Sequence, residues 1–82
     1  MTQGPVTYEV ALAPDPGIER EFDLWLEGHV AAMLRLPGFE SASIHPAEDP
    51  ATGRPERIVR YRVESRERLE RYFREDAPRM RA

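Results

Sequence analysis

The apolar residues of this chain switch between a period of two and a period of 3.6 along its length. The order of those switches restricts the fold more than any other feature of the sequence. Residues 6–12 alternate strictly: Val6, Tyr8, Val10 and Leu12 face one way, and Thr7, Glu9 and Ala11 the other. That is the pattern of a half-buried strand. Asp15-Pro16 then reads as a helix start, with Asp15 as the cap and Pro16 in the first helical position. Glu19, Glu21 and Asp23 suit the positive end of that helix. Ile18, Phe22, Trp25, Leu26, His29, Val30 and Met33 follow at helical spacing and make one apolar stripe. Pro37-Gly38 predicts the end of the helix near Leu36.

Residues 39–45 read as a second strand, with Ala42 and Ile44 on one face and Ser41, Ser43 and His45 on the other. Phe39 has the parity of the polar set, which predicts a bulge or a later start. Residues 46–56 hold Pro46, Pro50, Pro55, Asp49, Thr52 and Gly53 and read as a mobile loop. Residues 58–63 form a third strand, with Val59, Tyr61 and Val63 opposite Ile58, Arg60 and Arg62. Ser65 caps a second helix whose buried side is Leu69, Tyr72 and Phe73, and Pro78 predicts its end near Asp76.

Strand, helix, strand, strand, helix are five of the six elements of the ferredoxin-like βαββαβ fold. The expected class is therefore α+β, an antiparallel sheet with two helices on one face. The closing sixth strand is absent from these residues. The expected core is Tyr8, Val10, Phe22, Trp25, Leu26, Val30, Ile44, Val59, Tyr61, Val63, Leu69 and Phe73. Gly28 in mid-helix, with Ala32 one turn on, predicts close approach of the second helix.

At 82 residues the chain makes one domain, 1–82. A chain this short buries only roughly 60% of its unfolded surface. It has no cysteine, so no disulfide can add to a small core. Self-association is the remaining route, and a homodimer is expected. The N-terminus lacks the positive charge and apolar run of a leader, and nothing approaches the roughly 20 apolar residues of a membrane span. A cytoplasmic location, with no membrane partner, is the expectation.

All twelve basic residues are arginine, and the net charge is −3, which argues against a nucleic-acid partner. The charge is uneven: residues 1–53 carry −7 and residues 54–82 carry +4. Such a split predicts that the two parts meet, within one chain or across a dimer.

Tyr8-Glu9-Val10, the helix with Trp25-Leu26 and His29, Leu36-Pro37-Gly38-Phe39, and Val63-Glu64-Ser65-Arg66-Glu67 leading to Tyr72 and Ala77-Pro78-Arg79 follow one another in a fairly specific order. In this the chain resembles bacterial domain-of-unknown-function family 4286 over most of its length. The resemblance implies the dimeric α+β-barrel superfamily, which includes antibiotic-biosynthesis monooxygenase-like proteins. There, two ferredoxin-like subunits pack sheet against sheet, and some members are cofactor-free oxygenases or haem-degrading enzymes. The resemblance carries no catalytic residue onto this chain.

His29, at the centre of the helix stripe, is the candidate general base or ligand. The structural alternative is a core histidine, since no acidic residue shares the stripe to orient its ring. Tyr8, Trp25 and Tyr61 are candidates for lining an aromatic pocket, or simply core. His45 shares the polar strand face with Ser41 and Ser43. His29 and His45 fall on different layers, so no metal is expected, and no cofactor. Arg60 and Arg62, on the face away from the helices, read as an anion site or as partners of Glu9. Arg66, Arg68, Arg71, Arg74, Arg79 and Arg81 could serve a protein or RNA partner. Interleaved Glu67, Glu70, Glu75 and Asp76 make an ordinary solvated helix the plainer reading.

No catalytic triad, phosphate loop or carboxylate pair is present. The first reading is thus an uncharacterised dimer, its interface formed by Glu9, Ser43, Ile58, Arg60 and Arg62 with Thr7, Ala11, Ser41 and His45 around them. The alternative is a cofactor-free monooxygenase-like enzyme or small-ligand binder, holding an aromatic molecule in the cleft by His29. The third is a partner-binding module.

Overall fold

A computed structural model describes residues 4–80. β1 (Val6–Leu12), β2 (Phe39–Glu48) and β3 (Pro55–Val63) form an antiparallel sheet in the order β1-β3-β2. α1 (Glu19–Met33), α2 (Arg66–Glu75) and the single turn α3 (Ala77–Met80) complete the described residues. The protein is therefore α+β. The core joins Leu26, Val30 and Met33 of α1 to Val59, Tyr61 and Val63 of β3, with Phe39, Tyr72 and Ala77. The central strand is the most deeply buried because it has a neighbour on both sides and helices over one face.

The start of α1 differs from expectation. Its cap is Ile18, which makes no side-chain hydrogen bond. Asp15-Pro16-Gly17-Ile18 is instead a turn. The Ile18 N–H donates to the Asp15 carbonyl at 3.3 Å, and Gly17 has φ +86°. Proline second and a positive-φ glycine third is the signature of a type II turn, which outcompetes the cap. At the other end α1 stops at Met33, and a tight turn carries the chain to Leu36. Ser65 does cap α2, its side chain accepting from the Arg68 N–H at 3.2 Å.

The predicted loop is shorter than expected. β2 runs through Pro46 to Glu48 and pairs Glu48 with Pro55. β2 is an edge strand, where proline's missing donor need not break the ladder, and Pro55 is the first residue of its strand. The connecting residues 49–54 are tied by the Asp49 carboxylate, which accepts the Ala51 N–H at 2.8 Å. The register shifts between Phe39 and Ser41. This bulge turns Phe39 into the core despite its parity, as the alternation predicts. α2 ends at Glu75 with Asp76 as its C-cap, as Pro78 predicts; the chain then makes one further turn, α3, and Pro78 lies at its start, where an absent N–H costs nothing. Met80 of that turn packs on the core.

Three expected core residues are largely exposed: Trp25 at 52%, Ile44 at 39% and Phe73 at 42%. Each sits at the margin of the helix layer, where periodicity points inward but no element covers the side chain. Met33, Phe39, Tyr72 and Ala77 take their places. Gly28 is also placed otherwise than expected. It is exposed, and a Cβ built on it meets nothing within 4 Å. Close approach of α2 therefore does not explain it. Gly28→Ala should stabilise the fold by about 0.5–1 kcal/mol, the helix-propensity difference. Thermal melts at a few micromolar check this, and a loss of stability would contradict the exposed placement.

The charge split is resolved within the chain. Arg57 grips Asp23 with two hydrogen bonds, of 2.8 and 3.1 Å. Arg60 pairs with Glu9 directly across the β1–β3 register at 2.6 Å, and Arg62 with Glu40 at 3.0 Å. Each pair joins the basic part to the acidic part.

Candidate functional site

β1 lies at the sheet edge, so Tyr8, Val10 and Leu12 are only half-buried on the helix side. α1 crosses above them and offers Trp25, His29 and Met33, one side of a helix at spacings of four. Tyr61 reaches in from β3, Tyr72 from α2 and Met80 from α3. These nine side chains enclose a cavity of about 380 Å³, within the usual range for small-molecule sites. None of them is charged at neutral pH.

The four candidates from the sequence, His29, Tyr8, Trp25 and Tyr61, therefore converge on one space. Trp25 and His29 stack with ring centres 4.8 Å apart and planes 14° from parallel. Tyr8 and Tyr61 stack at 5.8 Å, and Phe73 meets Tyr8 edge-on at 5.2 Å. The cavity thus has two aromatic walls, one on α1 and one on the sheet. Val10, Leu12, Met33, Tyr72 and Met80 complete the lining and are not among the sequence candidates. Alternation places the first two on this face, but Met80 depends on α3, which the Pro78 signal hid.

Burial sets the protonation states. Desolvation lowers His29 below its ordinary 6.5, so the imidazole is neutral at pH 7. Burial pushes the Tyr61 phenol up to about 12, with Tyr72 and Tyr8 adding to the effect. Neither His29 nor the hydroxyls of Tyr8 and Tyr61 make a hydrogen bond among the described residues, where no fully buried side-chain polar atom lacks a partner. These groups therefore keep contact with solvent and are free to bond a guest.

Both shifts predict pH dependence. The unfolded chain ionises Tyr61 near 10, while the folded chain holds the proton to about 12. That stability is whole below pH 10 and is lost as pH rises to about 12. His29 acts on the acid side: the folded chain resists protonation, so stability falls as pH drops below about 6.5. Urea midpoints against pH should show both slopes, with Tyr61→Phe removing the alkaline one and His29→Gln the acid one.

The other candidates lie elsewhere. His45 is on the opposite sheet face and shares a 2.8 Å hydrogen bond with Ser43. Among the described residues no group of three or more His, Cys, Asp or Glu is placed to hold a metal. Arg71 pairs with Glu75 within α2, Arg68 with Glu64 just before that helix, and Arg79 of α3 with Asp76, the residue that caps the end of α2. Arg66 and Arg74 lie exposed on α2, and Arg81 lies outside the described residues. Glu9, Ser43, Arg60 and Arg62 are exposed on the face away from the helices, with Ile58 half-buried among them. The bond from Arg57 holds the Asp23 carboxyl below the usual carboxylate range and fixes α1 over β3. No helix among the described residues is long and apolar enough to cross a membrane.

Fold and site together define a small α+β protein with an aromatic cleft between its first helix and an edge strand. The chain belongs to the family described as Domain of unknown function (DUF4286), which matches residues 5–82. No curated protein and no solved structure matches it.

Proposed function

We propose that this protein binds a small, planar, uncharged molecule in the cleft between α1 and the sheet. The observation that carries the reading is the convergence of Tyr8, Trp25, His29 and Tyr61 on one space of ligand size. Two stacked aromatic walls favour a flat ring system. With no charged lining, an ionised guest would lose its hydration without gaining a counter-charge. The free imidazole nitrogen and phenol hydroxyls can bond the polar edge of a neutral guest.

1-Naphthol and 1-naphthoate share a ring system and differ in charge at pH 7. Calorimetric titration should show saturable binding of the naphthol and at least roughly tenfold weaker binding of the naphthoate. Tyr8→Ala and His29→Ala should each weaken the naphthol. Equal binding of the two, or none of either, would sink the reading.

The enzymatic form of this reading is a cofactor-free monooxygenase-like activity. Neutral His29 would take the proton from a bound hydroxyarene; one atom of dioxygen would then bond to the ring and the other leave as water, the arene giving up two hydrogens with their electrons to become a quinone. Oxygen uptake with 1-naphthol, lost in His29→Ala, is its test.

We further infer a single ferredoxin-like domain of the dimeric α+β-barrel superfamily, acting as a cytoplasmic homodimer. The element order and the antiparallel sheet support the fold, and the small core supports self-association. The sheet face of Glu9, Ser43, Ile58, Arg60 and Arg62 is one surface for it. Its arginines are already paired within the chain, so inter-chain ion pairs would compete with existing ones.

A further inference from the structure

We propose that two copies of this chain pair through the outer face of α1, antiparallel, about a two-fold axis at Gly28. The inference rests on the reading of the protein as a homodimer and sets its contact on α1 in place of the sheet-against-sheet contact, whose arginines are already paired within the chain. α1 carries a second apolar face besides the one it buries. Glu21, Leu24, Trp25, Gly28, Ala31, Ala32 and Arg35 recur at steps of three and four, so they form one stripe, continued past Met33 by the turn at Leu34. It points away from the core residues Leu26, Val30 and Met33. Leu24 is 63% exposed, and Trp25, though it packs on Phe22 and His29, is still 52% exposed. Trp25 stands on the border between this face and the cleft.

The stripe is complementary to itself when reversed. Leu24 and Ala32 each lie four residues from Gly28, and Trp25 and Ala31 three. An antiparallel copy therefore sets each large side chain against a small one. Glu21 and Arg35 each lie seven residues from Gly28, so the same axis sets each against its opposite charge, twice. Neither makes an ion pair within the described residues, unlike the sheet-face arginines. The open space over Gly28 lets the two helix backbones cross closely. Size, charge and backbone access thus specify the same partner, a second copy, through an isologous contact. One helix pair makes a small interface, so dissociation in the micromolar range is expected.

Sedimentation from about 5 to 500 µM tests this. Wild type should pass from monomer to dimer. Gly28→Glu, a better helix former than glycine at an exposed site, should weaken dimerisation at least tenfold while keeping its circular dichroism. Glu21→Arg and Arg35→Glu should each weaken it, and the double exchange should restore it, a rescue only a reversed pairing predicts. A dimer indifferent to Gly28→Glu but broken by Arg60→Glu would overturn this surface and leave the homodimer reading standing. A monomer at 500 µM would sink the homodimer reading itself.

Discussion

Leu26→Ala is expected to remove about 2–5 kcal/mol of stability, the range for truncating a fully buried leucine. Leu26 is 1% exposed at the middle of α1, where it seals the helix against the central strand. Its loss deletes apolar burial and leaves a void that the stiff β-branched Val59 and Val63 beneath cannot fill. A chain of 82 residues has about 4–12 kcal/mol in total at typical values per residue. The variant should therefore melt far below wild type or fail to fold at 37 °C. Leu24→Ala is the matched control. Leu24 is two residues away on the same helix but 63% exposed, so its truncation should stay within about 0.5 kcal/mol at micromolar concentration. Urea unfolding measures both. Equal losses would mean that α1 is rotated from the face described.

The second large effect is expected at Gly38. Its φ of +88° is a conformation that side-chain-bearing residues rarely adopt, and an added Cβ would lie 2.8 Å from Arg68 Cγ and 2.9 Å from Arg68 Cβ. Those atoms are the base of the arginine side chain and cannot swing aside without moving the first turn of α2. The Gly38 carbonyl also accepts the Glu64 N–H at 2.8 Å, which ties the turn to the end of β3. Backbone strain alone costs about 1–3 kcal/mol, and overpacking adds to it. Gly38→Ala should thus exceed Gly53→Ala, where φ is +73° but nothing lies within 4 Å. The difference between the two, read from thermal melts, isolates the contact of α2 with the Pro37-Gly38 turn. Equal losses would show that α2 yields freely there.

Local chemistry determined much of this protein. The alternation of Val6 to Leu12 sets which side of β1 meets the helices, because neighbouring side chains on a strand must point apart. The parity of Phe39 called for a bulge or a later strand start, of which the structure has the bulge, and Ser65 marked the start of α2, since both effects act within a few residues. The cleft was legible in part: stripe and alternation placed His29, Trp25, Tyr8 and Tyr61 on facing layers. The opposite charges of the two parts foretold pairing without naming Asp23 and Arg57, since charge attraction carries no register.

Tertiary structure decided the rest. Periodicity gives the direction of a side chain but not what stands in that direction. Trp25, Ile44 and Phe73 point toward the helix–sheet layer and still meet solvent, because the helices do not reach over them. The same limit misplaced Gly28, whose missing side chain reads alike whether a helix or open space lies opposite. Whether Tyr8, Trp25, His29 and Tyr61 make a filled core or a cavity depends on how far α1 stands from the edge strand. That spacing is set by the packing of Leu26, Val30 and Met33 on the central strand and by the grip of Arg57 on Asp23, contacts between segments far apart in the chain.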